Sequence, residues 1–157
     1  MPLSGYTDPR ALVAEAYRDP AKLAARTAIY AHQRPRFDLV REVVGRTRGV
    51  DGAILDIGCG PGRYAQALRA ARPDRPVIAC DLSTGMVEVA GPPAAVANAT
   101  ALPFRDRAFR ASLALHMLYH VAEPDGALAE LARVTDGFVL ISTNADGHKQ
   151  ELLDLVA

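Results

Sequence analysis

Cysteine is scarce in this chain. Cys59 and Cys80 are the only two, too few for a disulfide framework, and a reducing cytoplasm is the expected compartment. No stretch approaches the roughly 20 consecutive apolar residues of a membrane span. The opening MPLSGYTDPR has no basic segment followed by an apolar run, so no signal peptide is expected. Net charge is absent too: 18 Lys or Arg balance 18 Asp or Glu, which argues against a general nucleic-acid binder. No internal repeat, low-complexity tract or linker divides the chain. What is there is 157 residues, 50% apolar and 23% charged, the composition of one globular domain with its own core.

The charge is unevenly distributed. Residues 1–50 carry nine basic against five acidic residues, a net of +4, and residues 51–157 nine against thirteen, a net of −4. The first fifty residues read as a helical arm. Asp8-Pro9 and Asp19-Pro20 are each an N-cap residue followed by proline at the first helical position. Leu23, Thr27 and Tyr30 then recur at helical spacing until Pro35. Phe37, Val40, Val43 and Val44 give a further helix, which Gly45 is expected to stop. Two readings of the arm stay open: a solvated basic face, or an arginine turned toward an anionic ligand group. Sixteen of the eighteen basic residues are arginine and alanine is abundant, a coding bias that suggests a GC-rich bacterium.

From residue 53 short apolar runs alternate with helical stretches. Strands are expected over Ala53–Ile57, Pro76–Cys80, Ala94–Ala97, Ala111–Leu115 and Phe138–Ser142. Helices are expected over Arg63–Ala71, Ser83–Val89 and Asp125–Val134, with a last one from about Asp146. Runs apolar on both faces and separated by helices predict a doubly wound α/β domain with a mostly parallel sheet. In such folds ligands bind at the carboxyl ends of the strands.

The first strand runs into Asp56-Ile57-Gly58-Cys59-Gly60-Pro61-Gly62-Arg63. The dinucleotide fingerprint would be G-x-G-x-x-G. Here the third glycine comes one residue early, at Gly62, and Arg63 stands in its place. Asp56 would oppose a pyrophosphate and suit a ligand bearing an ammonium group. Asp81 ends the second strand nineteen residues after Gly62, near the spacing of about 20 at which a carboxylate takes ribose hydroxyls. Together they describe a nucleoside with a cationic, non-phosphate tail.

These residues resemble the class I S-adenosylmethionine-dependent methyltransferases, in the small-molecule bacterial branch that includes the ubiquinone and menaquinone biosynthesis methyltransferases. LDIGCGPGRY matches the family's first motif and VIACDLSTGMV resembles its second. ATALPFRDRAF, ASLALHMLYHV, LAELARV and FVLISTN resemble the regions after it, so the likeness covers about residues 50–145. It implies a Rossmann-like core over residues 51–157 behind the arm of residues 1–50, one domain in all. It implies S-adenosyl-L-methionine as cofactor and a small-molecule acceptor, with no nucleic acid and no membrane as partner. The alternative is a domain that binds this cofactor or S-adenosylhomocysteine without methylating.

Carried over residue by residue, Gly58, Gly60 and Gly62 would line the methionine and ribose portion, Asp56 would hold the amino group and Asp81 the ribose hydroxyls. Leu82 and Met86 would pack on the adenine, Asn98 and the Ala99 backbone would meet its edge, and the Leu115–His116 backbone would close over the methionine end. Arg26 of the arm would pair with the methionine carboxylate, with Tyr17 and Tyr30 beside it; the alternative is an arm that only packs. His116, Tyr119 and His120 are candidate general bases. The histidines would share a helix face, yet no third ligand at sensible spacing appears, so no metal is expected.

The sequence departs from the family in four places. Asn98 stands where Asp is usual, so the exocyclic amine would meet an amide oxygen. Arg110 replaces the usual Asp after the aromatic Phe109, and the turn before the fifth strand is reduced to Thr135-Asp136-Gly137. The antiparallel pair that ends the family's sheet has no counterpart here. A C-terminally truncated domain is therefore expected, or a homodimer through the uncovered edge of the fifth strand.

Overall fold

The computed structural model describes residues 37–143. The expected arm helices, with Tyr17, Arg26 and Tyr30, and the expected helix from Asp146 lie outside the described residues. Five strands, β1 (Ile54–Ile57), β2 (Val77–Asp81), β3 (Ala94–Val96), β4 (Phe109–Leu115) and β5 (Thr135–Ser142), form one sheet. Every pairing is parallel and the order is β3-β2-β1-β4-β5. The chain winds outward from β1 to β3, returns to β4 and winds outward again. The order reverses between β1 and β4, which makes their carboxyl ends the expected ligand crevice.

Side chains alternate across each strand. Ile54, Val77, Ala79, Ala111 and Leu113 meet Val43 of α1 (Leu39–Thr47) and Ala65 and Leu68 of α2 (Arg63–Ala71). Leu55, Ile57, Cys80 and Ala114 meet Ala127, Leu131 and Val134 of α4 (Pro124–Val134) on the other face. Helix α3 (Thr84–Ala90) is capped by Ser83, whose hydroxyl accepts from the Met86 N–H at 3.4 Å. Asp56 falls on the Ile54 face, so the alternation aims it at α2.

Two boundaries differ from the sequence reading for tertiary reasons. Helix α1 runs through Gly45 to Thr47, because its last carbonyls find donors elsewhere. Arg75 donates to Thr47 O at 2.6 Å and to Arg48 O at 3.1 Å, and Arg72 donates to Arg48 O at 3.1 Å. Thr135-Asp136-Gly137, read as a turn, is the start of β5, which follows α4 without a loop. Strand β4 bulges between Phe109 and Ala111 as it pairs with β5, and Arg110 ion-pairs with Asp136 at 2.6 Å. A Cβ at Gly137 would run into the backbone oxygen of Arg110, so only glycine lets the strands close there. Among the described residues β5 is one edge of the sheet, with Phe138 and Ile141 exposed.

Gly137→Ala is therefore expected to destabilise the fold by about 1–3 kcal/mol, the cost of overpacking. Urea unfolding measures it, and a midpoint equal to wild type would show that the two strands part freely at the bulge.

Candidate functional site

The turn after β1 carries Gly58, Gly60 and Gly62, all at positive φ (65°, 53° and 81°). The Cys59 N–H donates to Cys80 O at 3.0 Å, which ties this turn to the end of β2. A Cβ on Gly58 would stand 2.6 Å from the Met117 Cβ. The missing side chain thus lets the segment after β4 settle directly on the turn. Gly62, left-handed, opens α2 as its N-cap.

Asp81 is the joint of the site. Its Oδ2 accepts from the Gly60 N–H at 2.8 Å and its Oδ1 from the Ser83 N–H at 2.9 Å. Two of a carboxylate's roughly four acceptor positions are thereby used. Burial raises its pKa, opposed by the N–H groups of Ser83, Gly60 and Leu82 and by the charge of His120. His120 therefore faces Asp81 across the glycine turn.

Asp56 is 1% exposed. It accepts from the Ala65 N–H of α2, while its Oδ2 has no hydrogen-bond partner among the described residues. Burial pushes its carboxyl up to about 7, and Asp81 adds to the rise; the Ala65 N–H and Arg69 oppose it. Cys59 and Cys80 are free and buried. Burial raises both thiols, Cys80 to about 11, so they behave as small apolar groups.

The other expected site residues divide. Leu82 is 37% exposed beside Asp81. Met86 has no exposed surface; it faces the core from α3 and presents nothing to a ligand here. The Asn98 Oδ1 accepts from the Thr100 N–H at 3.0 Å and the Thr100 hydroxyl at 3.1 Å. That oxygen is committed to its own turn, and the expected amide acceptor for an exocyclic amine is lost. Ala99 and Leu115 are buried. His116 sits at φ 55° and its N–H donates to Ser142 O at 2.9 Å. His120 closes a short 3-10 turn, Leu118–His120, so the two histidines do not share a helix face. The exposed Tyr119 ring packs edge-on to His120 at 4.3 Å. Arg26 lies outside the described residues. Among the described residues no group of three His, Cys, Asp or Glu gathers to hold a metal.

Sequence reasoning missed the arginines that shape the site. Arg69 donates five hydrogen bonds to the carbonyls of Val77, Ala90, Gly91 and Pro93, locking α2 to the ends of its neighbours. Glu130 and Arg133 of α4 hold the segment after β3. The pair is an (i, i+3) helix couple, a local signal that says nothing of the distant carbonyls it reaches. A cavity of about 240 Å³ lies at the far pole, lined by Val44, Arg72, Arg75 and neighbours. Its guanidinium groups already serve carbonyls and Asp74.

Comparison with known proteins agrees with this geometry. A family described as "Methyltransferase domain" matches residues 55–141. The demethylmenaquinone methyltransferase of Paenarthrobacter aurescens is 34% identical over 126 residues, 64% of this chain and 47% of that protein. That of Thermobifida fusca is 34% identical over 148 residues, 78% of this chain and 60% of that protein. The chain thus spans about half the length of these curated relatives. The crystal structure of the [4+2]-cyclase SpnF superposes with a TM-score of 0.56 at 32% identity, covering 62% of this chain and 40% of that one.

The buried Asp56 makes stability depend on pH. Its carboxyl binds a proton more tightly folded than unfolded, so stability is highest below the ordinary carboxylate range and falls as pH rises toward about 7. The fall is at most ~1.4 kcal/mol per pH unit. Asp56→Asn should flatten the decline between pH 5 and 8 in urea unfolding, leaving the smaller part that belongs to Asp81. Parallel profiles for the two proteins would show that Asp56 is not the titrating group.

Proposed function

The chain belongs to the class I S-adenosylmethionine-dependent methyltransferase family, and from that premise we propose that it binds S-adenosyl-L-methionine over the carboxyl ends of β1, β2 and β3 and transfers a methyl group to a small-molecule acceptor. The observation that carries the reading is the Asp81 carboxylate, fixed on the Gly60 and Ser83 N–H groups with acceptor capacity left for ribose hydroxyls. The orphaned Oδ2 of Asp56 fits the same ligand. A buried carboxylate without a partner favours an ammonium nearby and repels a pyrophosphate.

In this reading Gly58, Gly60 and Gly62 present backbone to the methionine and ribose, and Asp56 balances the amino group through α2. Leu82 covers one adenine face, and the Asn98–Ala99 backbone meets the edge. The Leu115–His116 backbone closes the methionine end, and Arg26 pairs with the carboxylate. The cofactor supplies an electrophilic methyl: the C–S bond breaks with its electron pair left on sulfur while an acceptor lone pair forms the new bond. The protein's task is in-line positioning. His120, facing Asp81, belongs to the ribose side, which leaves His116 and Tyr119 to take an acceptor proton. A bacterial cytoplasm agrees with the free, buried Cys59 and Cys80. Among the described residues no helix is long and apolar enough to cross a membrane. The exposed Phe138 and Ile141 on β5 favour a second copy, or further strands, along that edge.

A second reading, a cofactor-binding domain that does not methylate, is favoured by one observation: the relative with the solved structure is named a cyclase. Release of S-adenosylhomocysteine in the presence of acceptor separates the two.

Calorimetric titration should show binding of S-adenosylmethionine and S-adenosylhomocysteine and none of NAD. Asp81→Ala should weaken the binding by roughly 1.5–3 kcal/mol for each charge-assisted hydrogen bond lost. Tight NAD binding, or an Asp81→Ala affinity within twofold of wild type, would overturn the assignment.

A further inference from the structure

We propose that Glu130 and Arg133 are positioning residues for nucleobase recognition: from the flank of α4 they hold the segment 98–107 so that Asn98 and Ala99 stand beside Asp81. The inference rests on the cofactor reading above and adds to it the residues that set base selectivity. Strand order places them. Asp81 ends β2, the glycine turn lies on its β1 side, and β3 lies on the other. A nucleoside whose ribose is on Asp81 and whose tail crosses the glycine turn must lay its base over the end of β3. There the Ala97 N–H donates to Asp81 O at 2.9 Å, so the segment starts from the backbone of the ribose ligand itself.

From that start the chain has no regular structure until β4, and its shape comes from outside. The Leu102 N–H donates to Glu130 Oε2 at 2.7 Å. Arg133 grips Glu130 through Nε at 2.7 Å and Nη2 at 2.8 Å. The same guanidinium donates to Phe104 O at 2.8 Å, Leu102 O at 3.1 Å and Asp106 Oδ1 at 2.8 Å. The Arg107 N–H returns to Arg133 O at 2.9 Å. A Cβ on Gly126, in the first turn of α4, would stand 3.7 Å from Thr100, so the helix also backs the turn that Asn98 makes. A single planar fork meets three backbone and side-chain groups beyond its carboxylate partner, a pattern that a lysine cannot reproduce. The pair is mutually reinforced: Arg133 holds the Glu130 carboxyl down at about 2, and Glu130 and Asp106 raise the guanidinium.

A clamp that sets base selectivity and one that only stabilises the fold differ in a ratio. The full chain and the variants Arg133→Lys and Asp106→Asn are titrated calorimetrically with S-adenosylhomocysteine and with S-inosylhomocysteine, which differs only at the base edge. Wild type should favour the adenine compound. Arg133→Lys should reduce that preference at least fivefold, and Asp106→Asn, which removes a carboxylate 75% exposed and dispensable for folding, about twofold. Thermal unfolding checks that each variant melts cooperatively; should Arg133→Lys not fold, the Asp106→Asn ratio decides. A wild-type ratio in the folded variants would overturn the inference and leave the cofactor reading intact. A wild-type chain that binds neither compound would overturn both.

Discussion

The hydrogen bond from the Gly60 N–H to Asp81, 2.8 Å long, joins the two strand ends on which the site depends. The same carboxylate holds the Ser83 N–H at 2.9 Å, next to the residue that caps α3. The glycine turn, the end of β2 and the start of α3 are thus fixed on one side chain. Three backbone N–H groups favour its charged form against burial. Asp56, one strand over, lacks that support. It has one N–H donor and an orphaned oxygen, so it resists ionisation where Asp81 accepts it. Two carboxylates in one crevice are pushed apart in this way, and the cost of the buried one is what a cationic ligand would relieve.

Around this joint arginine acts as a carbonyl clamp more than as a charge. Arg69 gathers four carbonyls at the edges of β2, β3 and α3. Arg75 and Arg72 serve the end of α1, and Arg133 the segment after β3. Each replaces partners that helix ends and loops leave unsatisfied. This accounts for many arginines in a chain with no net charge: they are bound inward and form no anionic-polymer surface.

The strands β1, β2 and β4 and the helix α2 were legible because two-faced apolar runs and a glycine turn are local signals. So was the pairing of Asp56 and Asp81 at neighbouring strand ends, since the spacing from Gly62 carries it. What needed the fold was tertiary. Gly45 does not end α1, because Arg75 reaches its carbonyls from 28 residues away. Thr135-Asp136-Gly137 looks like a turn until Arg110 pairs it into β5. Met86 shares the helical spacing of a surface residue yet faces the core, and the Asn98 oxygen turns to Thr100. No pattern in the sequence links Leu102 to Glu130 or Phe104 to Arg133.

The central claim is that one ligand lies across the ends of β1, β2 and β3. Amide ¹⁵N–¹H NMR spectra of the full chain, titrated with S-adenosylhomocysteine, test it most directly. The account predicts saturable shifts at Gly58, Gly60, Asp81, Leu82, Asn98 and Ala99, with the amides of Arg72 and Arg75 at the far pole unmoved. No shifts at high ligand concentration, or shifts confined to the far pole, would contradict it.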